Sequence, residues 1–141
     1  MPNADILTIA DSVVTELNTF PFVLPVRAER GDLPTFELTE LGQLKVTVVP
    51  RQDDGHLDTR ESSAHEYQLD IGIQQKPAKL DNEHLDPLMM LTQQIADHFR
   101  FGRVGRNSLV SPKIRILYLQ EHLQKFHQFT AVVTLTFKGS R

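Results

Sequence analysis

A chain of 141 residues, 40% hydrophobic and 23% charged, is long enough for one buried core, too short for two comfortable ones, and balanced like a globular, water-soluble domain. It has no cysteine, which removes disulfides, thiolate catalysis and cysteine-held metals, and no apolar run approaches the length that a bilayer requires. The net charge of −3 hides a split, since residues 1–98 carry seventeen acids against seven bases whereas residues 99–141 carry eight bases and the single acid Glu121. Such portions either share one solvated surface or attract each other between copies, which suits head-to-tail assembly. Met1 to Ala10 has no basic segment followed by an apolar run, so no signal peptide is expected.

The first element is a predicted helix. Asn3 is placed to cap it, Asp5 stands in the first turn where the dipole favours an anion, and Ile6, Ala10, Val13, Val14 and Leu17 recur at helical spacing until Asn18 and Thr19. In FPFVLPVRAER, Phe20, Phe22, Leu24 and Val26 alternate with Pro21, Val23, Pro25 and Arg27. Proline cannot donate to a ladder, so an edge strand is expected over Phe20–Val26, turned at Gly31, Asp32 and Pro34. QLKVTVVP predicts a second strand, with Leu44, Val46 and Val48 on one face and Pro50 as its end.

From Arg51 to Ala64 the chain reads RQDDGHLDTRESSA, polar apart from Leu57 and Ala64, and is expected to be a long loop of fourteen residues. Hairpin loops usually need about two to five, so this one reads as an arm or flap that makes contacts. HEYQLDIGIQQK then places Tyr67, Leu69, Ile71 and Ile73 on one face of a strand. Gln68, Asp70, Gly72 and Gln74 fall on the other, expected to be wet and, at Gln74, tolerant of glutamate.

In DNEHLDPLMMLTQQIADHFRFG, Asp86 before Pro87 predicts a helix start, Leu88, Leu91, Ile95 and Phe99 form its buried stripe, and Gly102 stops it. KIRILYLQ puts Ile114, Ile116 and Tyr118 on one face. QFTAVVTLTFK does the same for Phe129, Ala131, Val133, Leu135 and Phe137, and EHLQKFH between them reads as a short turn or the swollen tip of a hairpin. The order α-β-β-β-α-β-β predicts a single α+β domain over residues 1–141: a mostly antiparallel sheet of about five strands with two helices packed on one face. Val46, Ile71 and Val133 are expected to face the helices.

No pattern for catalysis emerges. Six histidines, His56, His65, His84, His98, His122 and His127, include no pair three or four apart and no HExxH, so dispersed surface histidines and no metal are expected. Asp53, Asp54, Asp58 and Glu61 cluster, but on the expected loop, where nothing would hold them for acid–base work. Ser62 and Ser63 near His65 lack a GxSxG elbow, and GRVGR lacks the third glycine and preceding strand of a phosphate cradle. FRFGRVGR is the one functional-looking cluster: Arg100, Arg103 and Arg106, with Phe99 and Phe101, suit a phosphate backbone or the acidic portion of a neighbouring copy. Cations at a helix C-terminus account for them equally well. The candidate sites are therefore a partner-binding loop, with Arg51, Asp53, Asp54, Asp58, Arg60 and Glu61, and an inter-subunit or DNA-facing cluster of Arg100, Arg103 and Arg106. No catalytic residue, cofactor or metal is expected.

LKVTVVPR, a long polar loop and then HEYQLDIGIQQK, together with LDPLMMLTQQIADHF and its DPL helix start, resemble small neck proteins of tailed phages. With the N-terminal helix ending in ELN, the FVLP segment and the closing hairpin, the layout over essentially the full chain resembles the tail terminator or tail-completion family of long-tailed bacteriophages. That resemblance implies a non-enzymatic virion protein, assembled in the host cytoplasm, whose homohexameric ring stops polymerisation of the tail tube and joins tail to head. It implies as partners further copies of the chain, the tail tube protein, the neighbouring neck or connector protein and DNA passing through the ring, with no membrane. The alternative in the same setting is a head-completion or stopper protein of the connector. The alternative from another class is a small ligand-binding or hydrolytic α+β domain, which would need a pocket of convergent polar groups.

Overall fold

The computed structural model describes residues 5–31, 44–57, 63–101 and 113–140. Along the chain these form α1 (Asp5–Thr19), β1 (Ala28–Arg30), β2 (Lys45–Leu57), β3 (Ser63–Gln75), α2 (Asn82–Phe101), β4 (Lys113–Tyr118), α3 (Gln120–Phe126) and β5 (Phe129–Ser140). The strands make one five-stranded sheet in the order β1-β2-β3-β5-β4. β1 runs parallel to β2, and the other neighbours are antiparallel. The fold is α+β.

Alternation builds the core. Residues opposite each other across a ladder share a face, and the registers align Ala28, Val46, Ile73, Ala131 and Tyr118 in one row across the sheet. The next row holds Val48, Ile71, Val133 and Ile116, and a third holds Pro50, Leu69, Leu135 and Ile114. Onto this face α1 lays Ile9, Ala10, Val13 and Leu17, and α2 lays Leu88, Leu91, Ile95, Ala96 and Phe99, so both helices cover the same side. Each fully buried side chain of this kind contributes about 1.5–3 kcal/mol relative to exposure. Val46, Ile71 and Val133 lie in this core as expected.

The N-terminal helix ends at Thr19 as its spacing predicts; Asn3 lies outside the described residues. The strand expected over Phe20–Val26 does not form, and pairing begins instead at Ala28. Pro21 and Pro25 cannot donate to a ladder, and two of the three N–H groups between them are satisfied otherwise. The Phe22 N–H donates to the Phe20 carbonyl at 3.0 Å, and the Val23 N–H donates to Gln94 Oε1 at 2.7 Å. Phe22, Leu24 and Val26 still pack on the core. Asn18 then sets the start of β1 by holding both backbone groups of Ala28: its Oδ1 accepts from the N–H at 2.6 Å and its Nδ2 donates to the carbonyl at 3.2 Å.

The expected loop from Arg51 to Ala64 is mostly strand. β2 passes through Pro50 and pairs with β3 as far as Leu57 opposite Ser63. Pro50 marks a register shift instead of an end: it stands opposite Leu69 while Gln52 stands opposite Gln68, so Arg51 is the extra residue of a bulge. Polarity did not forbid a strand here, because β3 is held along its other side by β5 and offers a complete ladder to pair with. Two further differences concern helices. α2 begins at Asn82, leaving Pro87 inside its second turn, and EHLQKFH forms α3. The turn after α3 places His127 at φ 53°, a left-handed residue that lets the Gln128 N–H reach the His122 carbonyl at 3.1 Å.

The second sheet face is not uniformly wet. Val49, Asp70, Gln74, Thr130 and Val132 are all buried on it, and the Thr134 hydroxyl donates to Asp70 Oδ1 at 2.8 Å. Gln74 is 1% exposed, which overturns its expected tolerance of glutamate, since a charge there would be desolvated. Gly31 closes on this face as well: a Cβ there would stand 2.9 Å from Thr47 Cγ2 and 3.1 Å from Val49 Cγ2.

In urea unfolding, Ile71→Ala is expected to cost about 2–5 kcal/mol and Gly31→Ala about 1–3 kcal/mol through overpacking. Met90→Ala, at an exposed helix position, should stay within about 0.5 kcal/mol. Equal losses at Ile71 and Met90 would contradict the register.

Candidate functional site

Pairing makes the arm. Beyond Val48 no described strand lies outside β2, and beyond Thr136 none lies outside β5, while β2, β3 and β5 continue together to Leu57, Ser63 and Ser140. Among the residues with described burial, the core rows reach as far as Pro50, Leu69 and Leu135. A three-stranded ribbon therefore runs on past both described edge strands over Phe137–Ser140 of β5, about 13 Å at a rise of about 3.3 Å per residue.

Of the residues expected in a partner-binding loop, Arg51 is the bulge residue, and Asp53 and Asp54 are strand residues opposite Tyr67 and Glu66. Asp58, Arg60 and Glu61 lie outside the described residues. The basic cluster divides in the same way: Arg103 and Arg106 lie outside, and Arg100 ends α2 with Nη1 3.2 Å from Asp97 Oδ1. Both partners of that pair are 45% exposed, so water screens it and it adds little to stability.

His84, His98 and His122 have structural partners. His98 Nε2 donates to Glu16 Oε2 at 2.9 Å, and the ring packs 4.4 Å from Phe20 and 5.1 Å from Phe99 between centroids, tying α1 to α2. His122 Nδ1 lies 2.9 Å from Thr130 Oγ1. Among the described residues no three His, Asp or Glu side chains are grouped to hold a metal ion, and no helix is long and apolar enough to cross a membrane.

Sequence reasoning missed an open apolar cleft of about 80 Å³ lined by Leu85 and Met89 of α2, Tyr118 and Leu119 at the end of β4, Leu123 of α3 and Phe129. Drug-sized ligands fill pockets of roughly 300–1,000 Å³, so this volume suits one side chain. Burial pushes the Tyr118 phenol above its ordinary value, keeping it a neutral wall of the cleft. Met89 was legible as an apolar residue off the buried stripe of α2, but its neighbours on α3 depended on a helix read as a turn.

The mouth of the cleft depends on how α2 starts. Asp81 caps the helix: its Oδ1 accepts the His84 N–H at 3.0 Å and lies 2.5 Å from His84 Nδ1. The hydrogen bond from the His84 ring holds the Asp81 carboxyl below its usual value, with the backbone bond adding to it. A depressed carboxyl stabilises the fold above its unfolded value of about 3.9 and loses that contribution as pH falls through the folded one. Asp81→Asn keeps a capping oxygen without the charge. Its thermal stability should fall less than that of the parent chain between about pH 5 and pH 3, and parallel curves would remove Asp81 as the source of that dependence.

No family model matches this chain, and no curated protein matches it. Among solved structures, a chain of the virion of a native gene transfer agent particle is similar, with a TM-score of 0.61 over 97% of this chain and 100% of that one, at 12% identity. The two chains share a fold over nearly their whole lengths.

Proposed function

We propose that this chain is a structural protein of a phage-like virion: a subunit of a ring between tail and head that ends the tail tube and joins it to the head. The observation that carries the reading is the three-stranded ribbon, a paired extension of the sheet past both described edge strands, in a small chain whose cleft admits only a side chain. An extension of this kind supplies contact area at low entropic cost, because its backbone is ordered before the partner arrives. The full-length likeness to a virion chain supports the same setting, as does the resemblance of the strand and helix phrases to the tail terminator family. Under this reading the work is assembly and not catalysis. The partners are further copies of the chain, the tail tube protein, the adjoining neck protein and the DNA that traverses the ring, and the site of action is the virion.

The ribbon is then the arm that meets a neighbouring protein, with Arg51 at its root, Asp53 and Asp54 along β2, and Asp58, Arg60 and Glu61 proposed as contact residues of the same segment. Arg103 and Arg106 follow α2 in sequence and, with Arg100, are proposed to meet the acidic portion of the next copy or the DNA.

Joining Pro50 to Leu69 through an Asn-Gly turn removes the arm and leaves the core rows in place. The shortened chain should unfold at nearly the parent temperature, while particles assembled with it should show tails unjoined to heads in electron micrographs. Overlong tails in particles lacking the chain altogether would mark termination of the tube, and filled heads leaking DNA would mark a stopper instead. Normal, infectious particles carrying the shortened chain would overturn the arm.

A further inference from the structure

We propose that copies of this chain dock head to tail by seating Leu117 of one copy, on the outer sheet face, in the cleft between α2 and α3 of the next. The proposal rests on the ring reading above and names its contact.

Leu117 is 47% exposed on the edge strand β4. It stands opposite Val132 on the face turned away from α1 and α2. Two residues earlier on the same face is Arg115, exposed and with no ion pair among the described residues. This corner therefore offers one aliphatic anchor beside one cation.

The cleft offers the complement. An enclosed apolar cavity of about 150 Å³ admits benzene, so an open one of about 80 Å³ matches a single branched aliphatic side chain. Met89 on its rim and Met90 beside it are 43% and 54% exposed. Thioethers adapt their shape to an incoming side chain. Asp86 lies one helical turn before both, exposed and with no ion pair among the described residues. Anchor plus cation thus meets cleft plus anion.

The two surfaces differ and lie on opposite layers of the same chain. Repeated head to tail, this contact lets each copy give one surface and accept with the other, and it yields a ring when the rotation closes. A reciprocal two-fold pair would use the same two surfaces and stop at two copies in sedimentation, a result that overturns the head-to-tail arrangement.

The chain has no cysteine, so single cysteines report the contact without background. Leu117→Cys and Met89→Cys, mixed and oxidised, should give a disulfide-linked dimer that neither variant forms alone. In sedimentation, Asp86→Arg and Arg115→Asp should each weaken association by roughly tenfold, and the double variant should recover most of it. A mixture that stays unlinked while the parent chain sediments as an oligomer overturns this contact and leaves the ring standing. A parent chain that stays monomeric at its solubility limit and on purified tail ends, with no cross-link, overturns both.

Discussion

Everything in this fold hangs on β3 being paired along its length on both sides. β2 follows it from Gln74 to Ser63 and β5 from Gln75 to Ala64. Central strands of this kind have no free backbone donors or acceptors to trade with water, and their inward side chains sit at the middle of the buried face. Leu69, Ile71 and Ile73 are accordingly without solvent exposure. The helices then have one place to go, and their apolar stripes settle over those residues and their row-mates. The same pairing carries the ladder outward past Pro50 and so makes the arm a continuation of the sheet.

The connection between β4 and β5 adds a second level of organisation. A plain hairpin would have left Tyr118 and Phe129 at an open sheet end. Folding Gln120–Phe126 into a short helix lays Leu123 near that end and leaves a gap against the first turns of α2. The gap exists because α2 starts one turn earlier than Pro87 suggests. Asp81 makes that start possible by capping the helix itself, with His84 bound to the same carboxylate oxygen. Local capping chemistry thus fixes the first turn of α2, which brings Leu85 to the cleft.

The layered plan was legible because strict alternation and a single apolar stripe leave few ways to bury their residues. Val46, Ile71, Val133, Leu91 and Ile95 announce their faces without any tertiary information. The first strand was misplaced because alternation reports which side chains turn inward but not where donors go, and Pro21 with Pro25 settles the latter. The arm was read as a loop for a related reason. Its residues are mostly polar, and polarity alone does not separate a strand from a turn. Asp70 and Gln74 looked wet by alternation, yet both are buried, as period-two patterning says nothing about what covers the second face. The segment from 51 to 64 stood out in the sequence by its acidity, whereas the cleft needed three elements brought together in space.

The bulge at Arg51 gives the arm a built-in shape. Over the same span β2 carries one more residue than its partner, an excess of about 3.3 Å of contour on one side of the ribbon, while β3 and β5 keep an unbroken register. Like a bimetallic strip, a band whose two long sides differ in length curves and twists, and the sense is set by which side is longer. The root is held by the core rows, so a bend set there carries outward along the paired strands. The direction in which this chain points its arm is therefore written into a residue count at the root, before any neighbour is present to pull on it.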